Sequence, residues 1–567
     1  MLAKKAITPC IILFMLQTTA TTLFAQASDT VTITTDIAKQ AEKLQPIWAF
    51  FGYDEPNYTY MKDGKKLLSE IAALSPVPVY VRTHNMLTSG DGTAALKWGS
   101  TNAYTQDSTG KPVYNWVIVD SIFDTYVSRA MKPIAEIGFM PEALSTHPQP
   151  YRHNWKAGTH SELFTGWCYP PADYKKWAEL VYQWVKHCTQ RYGSKEVATW
   201  RWEVWNEPNI GYWHGTEEEY CMLYDYAADA VKRACPNAKI GGPTTTGPGW
   251  DKAYVFLEKF LTHCATGLNY ATHKTGSPLD YVSFHAKGSP RLVNGHVQMN
   301  MVSELTDIAK GCEAVAASSF KQLPIIIGEC DPEGCAACGM ATSPENAYRN
   351  GTMYSSYTAS SFARISAIAK RYGVYVEGAV SWSFEFENQR WFDGFRDLAT
   401  NGIDKPVLNV FRMFGLMNAN SLPVTCSDSI PLDTLIYGGV RGNKRDINAL
   451  ATTDSKGTSV MVWNYHDDDV PAAAANIELV LKNIPSKKVL LEQYMIDSSH
   501  SNSYEAWKQM GSPQTVTQQQ YTVLEKSGQL AMMRSPEWLT TSPDKNITVK
   551  LVLPAQGVCL LKLTYGD

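Results

Sequence analysis

Between Pro46 and Met417 one pattern recurs eight times: a short apolar run followed by a longer amphipathic one. The strand-like runs fall at residues 46–51, 77–84, 132–141, 200–207, 239–243, 280–285, 323–329 and 377–384. The helix-like runs fall at 61–74, 117–131, 173–192, 217–234, 251–264, 302–318, 346–372 and 407–417. Strands buried on both faces and separated by crossover helices produce this alternation. Eight such units predict an α/β fold, a (β/α)8 TIM barrel over residues 45–417. An open doubly wound sheet is the rival. It calls for a Gly-rich phosphate loop after the first strand, where this chain has Gly52-Tyr53-Asp54-Glu55.

The flanks read differently. From about Asn448 short alternating or apolar runs separated by turn residues take over, at 459–464, 476–482, 489–495, 546–553 and 556–565. They predict an antiparallel β-sandwich within residues 418–567. A lone strand at Val31–Thr35, within residues 28–44, is expected to join it and tie the two chain ends together. Residues 1–27 read as a cleavable signal peptide: Lys4 and Lys5, an apolar run to Phe24, then Ala25-Gln26-Ala27. That run is too short and Thr-rich to anchor the chain, so the expectation is a secreted or periplasmic protein without a membrane partner. A net charge of -4 supplies no basic field, which argues against nucleic acid. Of the 12 cysteines, Cys10 lies in the leader. Cys335 and Cys338 form a C-x-x-C close to Cys330, read as loop cysteines with one disulfide rather than a zinc or redox site.

Chemistry in such a barrel sits at the C-terminal tips of its strands. The fourth run, Trp200 to Glu207, ends at Pro208, which cannot continue a ladder and leaves Asn206 and Glu207 at the tip. The seventh ends at Glu329. Two carboxylates facing each other across the mouth are the equipment for glycoside hydrolysis, provided that their surroundings drive the two pKa values apart. With 17 Trp and 30 Tyr, the chain also has flat rings for stacking on sugars, although a large aromatic core needs them too.

Several strings resemble glycoside hydrolase clan A, and more closely family 39, the β-xylosidase and α-L-iduronidase family. They are Val81-Arg82-Thr83-His84, Gly138-Phe139-Met140-Pro141, Trp205-Asn206-Glu207-Pro208, Ser283-Phe284-His285, Ile327-Gly328-Glu329 and Gly402-Ile403-Asp404-Lys405-Pro406. The resemblance implies Glu207 as acid/base and Glu329 as nucleophile of a retaining mechanism. The carboxyl groups would then lie about 5–5.5 Å apart, against about 6.5–9.5 Å for inversion. It also implies that Asn206 bonds the sugar 2-hydroxyl and that no metal or organic cofactor takes part.

Arg82 is expected either to hold Glu329 ionised or to form a structural ion pair. His84 and His285 read either as sugar-hydroxyl ligands or as packed core histidines. Lys287 departs from the xylosidase pattern and looks more like the iduronidase branch, as does Glu329-Cys330-Asp331-Pro332. It would bind a uronate carboxylate, a neutral hydroxyl or Asp331. Trp382 is expected to floor the site, and one of Glu385 and Glu387 to bond ring hydroxyls. The alternative for either acid is a solvated loop charge. These acids favour a neutral sugar, and Asp393-Gly394-Phe395 looks like the xylosidase loop. The expected function is a retaining exo-β-xylosidase acting on an oligosaccharide. The other readings are a uronate or arabinofuranoside glycosidase and a non-catalytic carbohydrate-binding protein.

Overall fold

The structure, a computed structural model, describes residues 30–151, 166–335 and 337–566. The leader and most of the aromatic loop at 151–169 lie outside the described residues. Seven parallel strands run in sequence order around a barrel: Phe50–Tyr53, Tyr80–Thr83, Lys132–Ile137, Arg201–Val204, Lys239–Thr245, Tyr281–Lys287 and Pro324–Asp331. The eighth is split. Tyr375–Ala379 pairs with the seventh strand and Ser381–Trp382 with the first, which closes the ring. Val380, at the split, donates to Ile327 O and accepts from Cys330 N.

Strand four shows how the barrel sorts its side chains. Trp202 faces outward and meets Trp184 of helix Tyr174–Tyr192 edge to face, with ring centroids 5.2 Å apart. Its neighbours Arg201 and Glu203 face the interior, toward Glu377 and Arg82 respectively. This is the period-2 alternation of a strand. The strand nevertheless stops at Val204, three residues short of the predicted Glu207. Trp205 (φ 72°) and Glu207 (φ 45°) both adopt left-handed backbone, which no ladder accommodates. Strand one likewise starts late, at Phe50, because Ala49 N turns back to Pro46 O. The helix expected at 346–372 begins at Thr352, after a 3-10 segment over Pro344–Asn350.

Beside the barrel lie two further sheets. Val31–Asp36 runs parallel to Ala475–Lys482 and antiparallel to Val424–Cys426, inside a four-stranded sheet. The larger sheet contains Asp446–Thr453, Gly457–Tyr465, Val558–Tyr565 and Lys488–Ile496. The apolar side chains of the two sheets, Ile33, Leu479 and Val549 against Val460, Val489 and Leu561, share one core.

Two helices missing from the sequence reading, Ser503–Gln509 and Gln518–Gly528, leave the larger sheet and reach the barrel. Their Trp507 and Leu524 pack on Phe392 and Ile403, and Asn409 Nδ2 donates to Ser501 O and Gly528 O. The loop after strand eight is therefore braced from outside the barrel.

Barrel closure leaves no room at Gly52. A Cβ there would overlap the Trp382 ring and lie 2.9 Å from Arg82 O. Gly52→Ala should lower the stability read from urea unfolding by about 1–3 kcal/mol. An unchanged midpoint would contradict the tight packing of strands one, two and eight.

Candidate active site

The centre of the mouth is a compact charge cluster. Glu207 and Glu329 are both nearly fully buried. The Lys287 ammonium bridges them, 3.2 Å from Glu207 Oε1 and 2.6 Å from Glu329 Oε2. His285 Nδ1 lies 2.9 Å from Glu207 Oε1 and 3.7 Å from Glu329 Oε1. The ligand atoms of Glu207, His285 and Glu329 all lie within 4.8 Å of one another. Among the described residues this trio is the one grouping able to hold a metal ion. The Lys287 ammonium already supplies positive charge to it.

Electrostatics here correct one expectation. The two carboxyl groups were expected to have pKa values driven apart. Burial pushes both up, but Lys287 and His285 outweigh it and hold Glu207 at about 2. Glu329 is likewise held well below the usual carboxylate range by Lys287, His285, His84 and Arg82. Both acids are therefore ionised without a sugar, and the Lys287 ammonium is correspondingly harder to deprotonate. Burial lowers the His285 pKa, so its neutral ring donates from Nδ1 to Glu207 while the buried Nε2 has no partner.

Beneath this layer sits Arg82, fully buried. Its guanidinium contacts Glu203 at 2.5 Å, Glu136 at 3.3 Å and Glu329 at 3.4 Å, and donates to Asn206 Oδ1 at 3.1 Å. It thus orients Asn206 and touches Glu329 at once, while its closest ion pair is with Glu203. His84 stands between Asp54 (2.7 Å, from Nδ1) and Glu136 (3.1 Å, from Nε2). Burial and the neighbouring Arg82 lower its pKa. Trp382 lies under both, with the Arg82 guanidinium 4.9 Å and the His84 ring 4.4 Å from its ring.

Glu385 and Glu387 have other partners. Glu385 is fully buried and accepts from Gly402 N, and burial pushes its carboxyl well above the usual range. Glu387 accepts from Asp63 N, at the start of helix Lys62–Leu74. Glu385 is not a free loop charge. Through Gly402 N it pins the Ala399–Asp404 hairpin.

Sequence reasoning missed Arg396, which donates to Glu333 O and Gly334 O and lies 3.5 Å from Asp331. It also missed Asp54, Glu136 and Glu203. Glu136 and Glu203 lie within the third and fourth strand-like runs, where the charge itself was the signal, and Asp54 follows the first. Arg396 sits in a loop with no periodic signal. The Cys335–Cys338 disulfide is formed.

A parallel eight-stranded barrel carrying two opposed glutamates at the tips of strands four and seven defines a class of barrel glycosidases. The comparisons name the family. The sequence profile of "Glycosyl hydrolases family 39" matches residues 31–535, and the chain belongs to that family of glycoside hydrolases. A β-xylosidase of Geobacillus stearothermophilus is 28% identical over 475 residues, covering 81% of this chain and 82% of the relative. An α-L-iduronidase of Mus musculus is 24% identical over 366 residues, covering 60% of this chain and 54% of that one. Among solved structures, a monomeric β-xylosidase from Caulobacter crescentus CB15 superposes with a TM-score of 0.72 at 23% identity, covering 94% of this chain and all of that one.

The bridge yields a pH prediction. Removing the ammonium takes away what favours the charged form of both acids, so both pKa values rise. The kcat/KM profile of Lys287→Met should move to higher pH on both limbs, by about one unit or more. A profile that stays in place, or moves down, would show that Lys287 does not set the ionisation of the pair.

Proposed function

We propose that this chain is an exported, retaining β-xylosidase that releases terminal xylose from a neutral oligosaccharide. The observation that carries the reading is the approach of Glu207 and Glu329, one carboxylate oxygen of each lying within 4.8 Å of the other. So short a gap favours direct attack by a carboxylate over attack by an interposed water. In the first step Glu329 bonds the anomeric carbon as the bond to the leaving oxygen breaks, and Glu207 gives that oxygen its proton. In the second, water attacks the same carbon, Glu207 takes the proton and Glu329 leaves. Asn206, held by Arg82, faces the sugar 2-hydroxyl. The leader at 1–27 directs export.

Lys287 bears on the identity of the sugar. Its ammonium fills the space between the two carboxylates, so an incoming sugar displaces it from Glu207. Burial then dominates, and Glu207 becomes able to hold a proton. Lys287 keeps its 2.6 Å contact with Glu329, so its charge is used on the protein's own carboxylate rather than on a uronate, which supports a neutral sugar. The relatives that cover most of this chain are named β-xylosidases, which favours xylose.

A panel of aryl glycosides tests the sugar: the β-xyloside should be cleaved fastest, and a faster iduronide would overturn the choice. Glu329→Ala should abolish hydrolysis, and Glu207→Ala should slow unactivated xylosides by about 10²–10⁴-fold. Parental rates in either variant would refute the assigned roles.

A further inference from the structure

Glu207 and Lys287 also line a groove of about 560 Å³ that adjoins the charge cluster. Its walls include Lys287, Thr246, Trp250, Asn300 and Thr306. We propose that this groove is the leaving-group subsite and that Trp250 is the platform on which the sugar beyond the cut bond stacks. The inference rests on Glu207 being the acid. The oxygen that receives its proton stays attached to the departing part of the substrate. That part must extend from Glu207 into adjoining open space, which this groove provides.

The groove has the chemistry of a neutral pyranose. Trp250 is 50% exposed, whereas Trp205, Trp213 and Trp382 around the mouth are 0–5% exposed. An indole left half bare beside a catalytic acid offers a flat apolar plate to the C–H face of a sugar ring. The Lys252 ammonium lies 5.6 Å from its ring centroid and supports the ring as a cation–π partner. Thr246, Asn300 and Thr306 add polar side chains to the lining, held by Asn209 Nδ2, Ser289 Oγ and Ile436 O respectively.

The platform is also held in place. Asp307, on helix Met301–Ala317, accepts from Gly249 N at 2.9 Å and from Lys287 N at 3.2 Å. One nearly buried carboxylate thus ties the turn bearing Trp250 to the tip of strand six. A Cβ at Gly247 would overlap that carboxylate, so the approach needs glycine there. Trp250 N closes the turn onto Gly247 O at 3.1 Å. Trp250 is a specificity-determining residue in this scheme, and Asp307 a positioning residue.

The test compares two unactivated substrates that differ in whether the leaving group reaches Trp250: a β-1,4-linked xylose disaccharide and methyl β-xyloside. In Trp250→Ala the ratio of kcat/KM for the disaccharide to that for the methyl xyloside should fall about tenfold. Trp250→Phe, which keeps a ring, should recover most of the ratio. A parental ratio in Trp250→Ala would overturn the assignment. A parent inert on both xylosides but active on another sugar would refute the xylose reading alone. The same ratio, read with that sugar's disaccharide and methyl glycoside, then decides the groove. A parent inert on every glycoside would overturn both.

Discussion

One buried guanidinium organises the barrel interior. Arg82 rises from strand two and reaches Glu136 on strand three, Glu203 on strand four, Asn206 just beyond that strand and Glu329 on strand seven. Taking so many charges out of water costs several kcal/mol per ion, and the cost is offset only when each charge finds close partners. Burial keeps Glu136 well above the usual carboxylate range, which reduces the negative charge that Arg82 must balance. The arrangement fixes how far apart four strand tips lie. It therefore fixes where Glu329 and Asn206 stand relative to Glu207.

Above Arg82 the site is a balance between burial and one lysine cation. Burial alone would protonate both glutamates. The Lys287 ammonium, 3.2 and 2.6 Å from them, reverses that for both. Lysine suits the role because its charge is a point at the end of a flexible stem, whereas a bidentate arginine is harder to displace. The left-handed backbone at Glu207 is the other unusual feature, a strained conformation that turns the acid from the strand line toward the cluster.

The eight-fold alternation was readable because burial on both strand faces imposes an apolar run wherever a strand lies, whatever the rest of the fold does. Glu207 and Glu329 were readable because they end such runs. Strand lengths were not: Trp205 has positive φ and packs edge to face on Phe139 and Trp213, contacts that no local spacing encodes. Nor was the state of Glu207 readable, since Lys287 lies 80 residues further along the chain. The contact of Glu385 with Gly402 was not readable either, because the two are brought together only by the turn of a hairpin. The helices at 503–528 interrupt the sandwich and have their own caps, including the Thr517–Gln520 capping box, but the apolar runs around them masked those signals.

The central claim is that Glu329 bonds directly to the sugar. A 2-deoxy-2-fluoro-β-xyloside with a good leaving group reacts with a retaining enzyme's nucleophile and is released slowly, so the protein can be digested and its peptides weighed. The account predicts one fluoroxylosyl group per chain, carried on the peptide containing Glu329 and attached to that residue. A label on Glu207, or turnover of the parent xyloside with inversion at the anomeric carbon and no label at all, would contradict it.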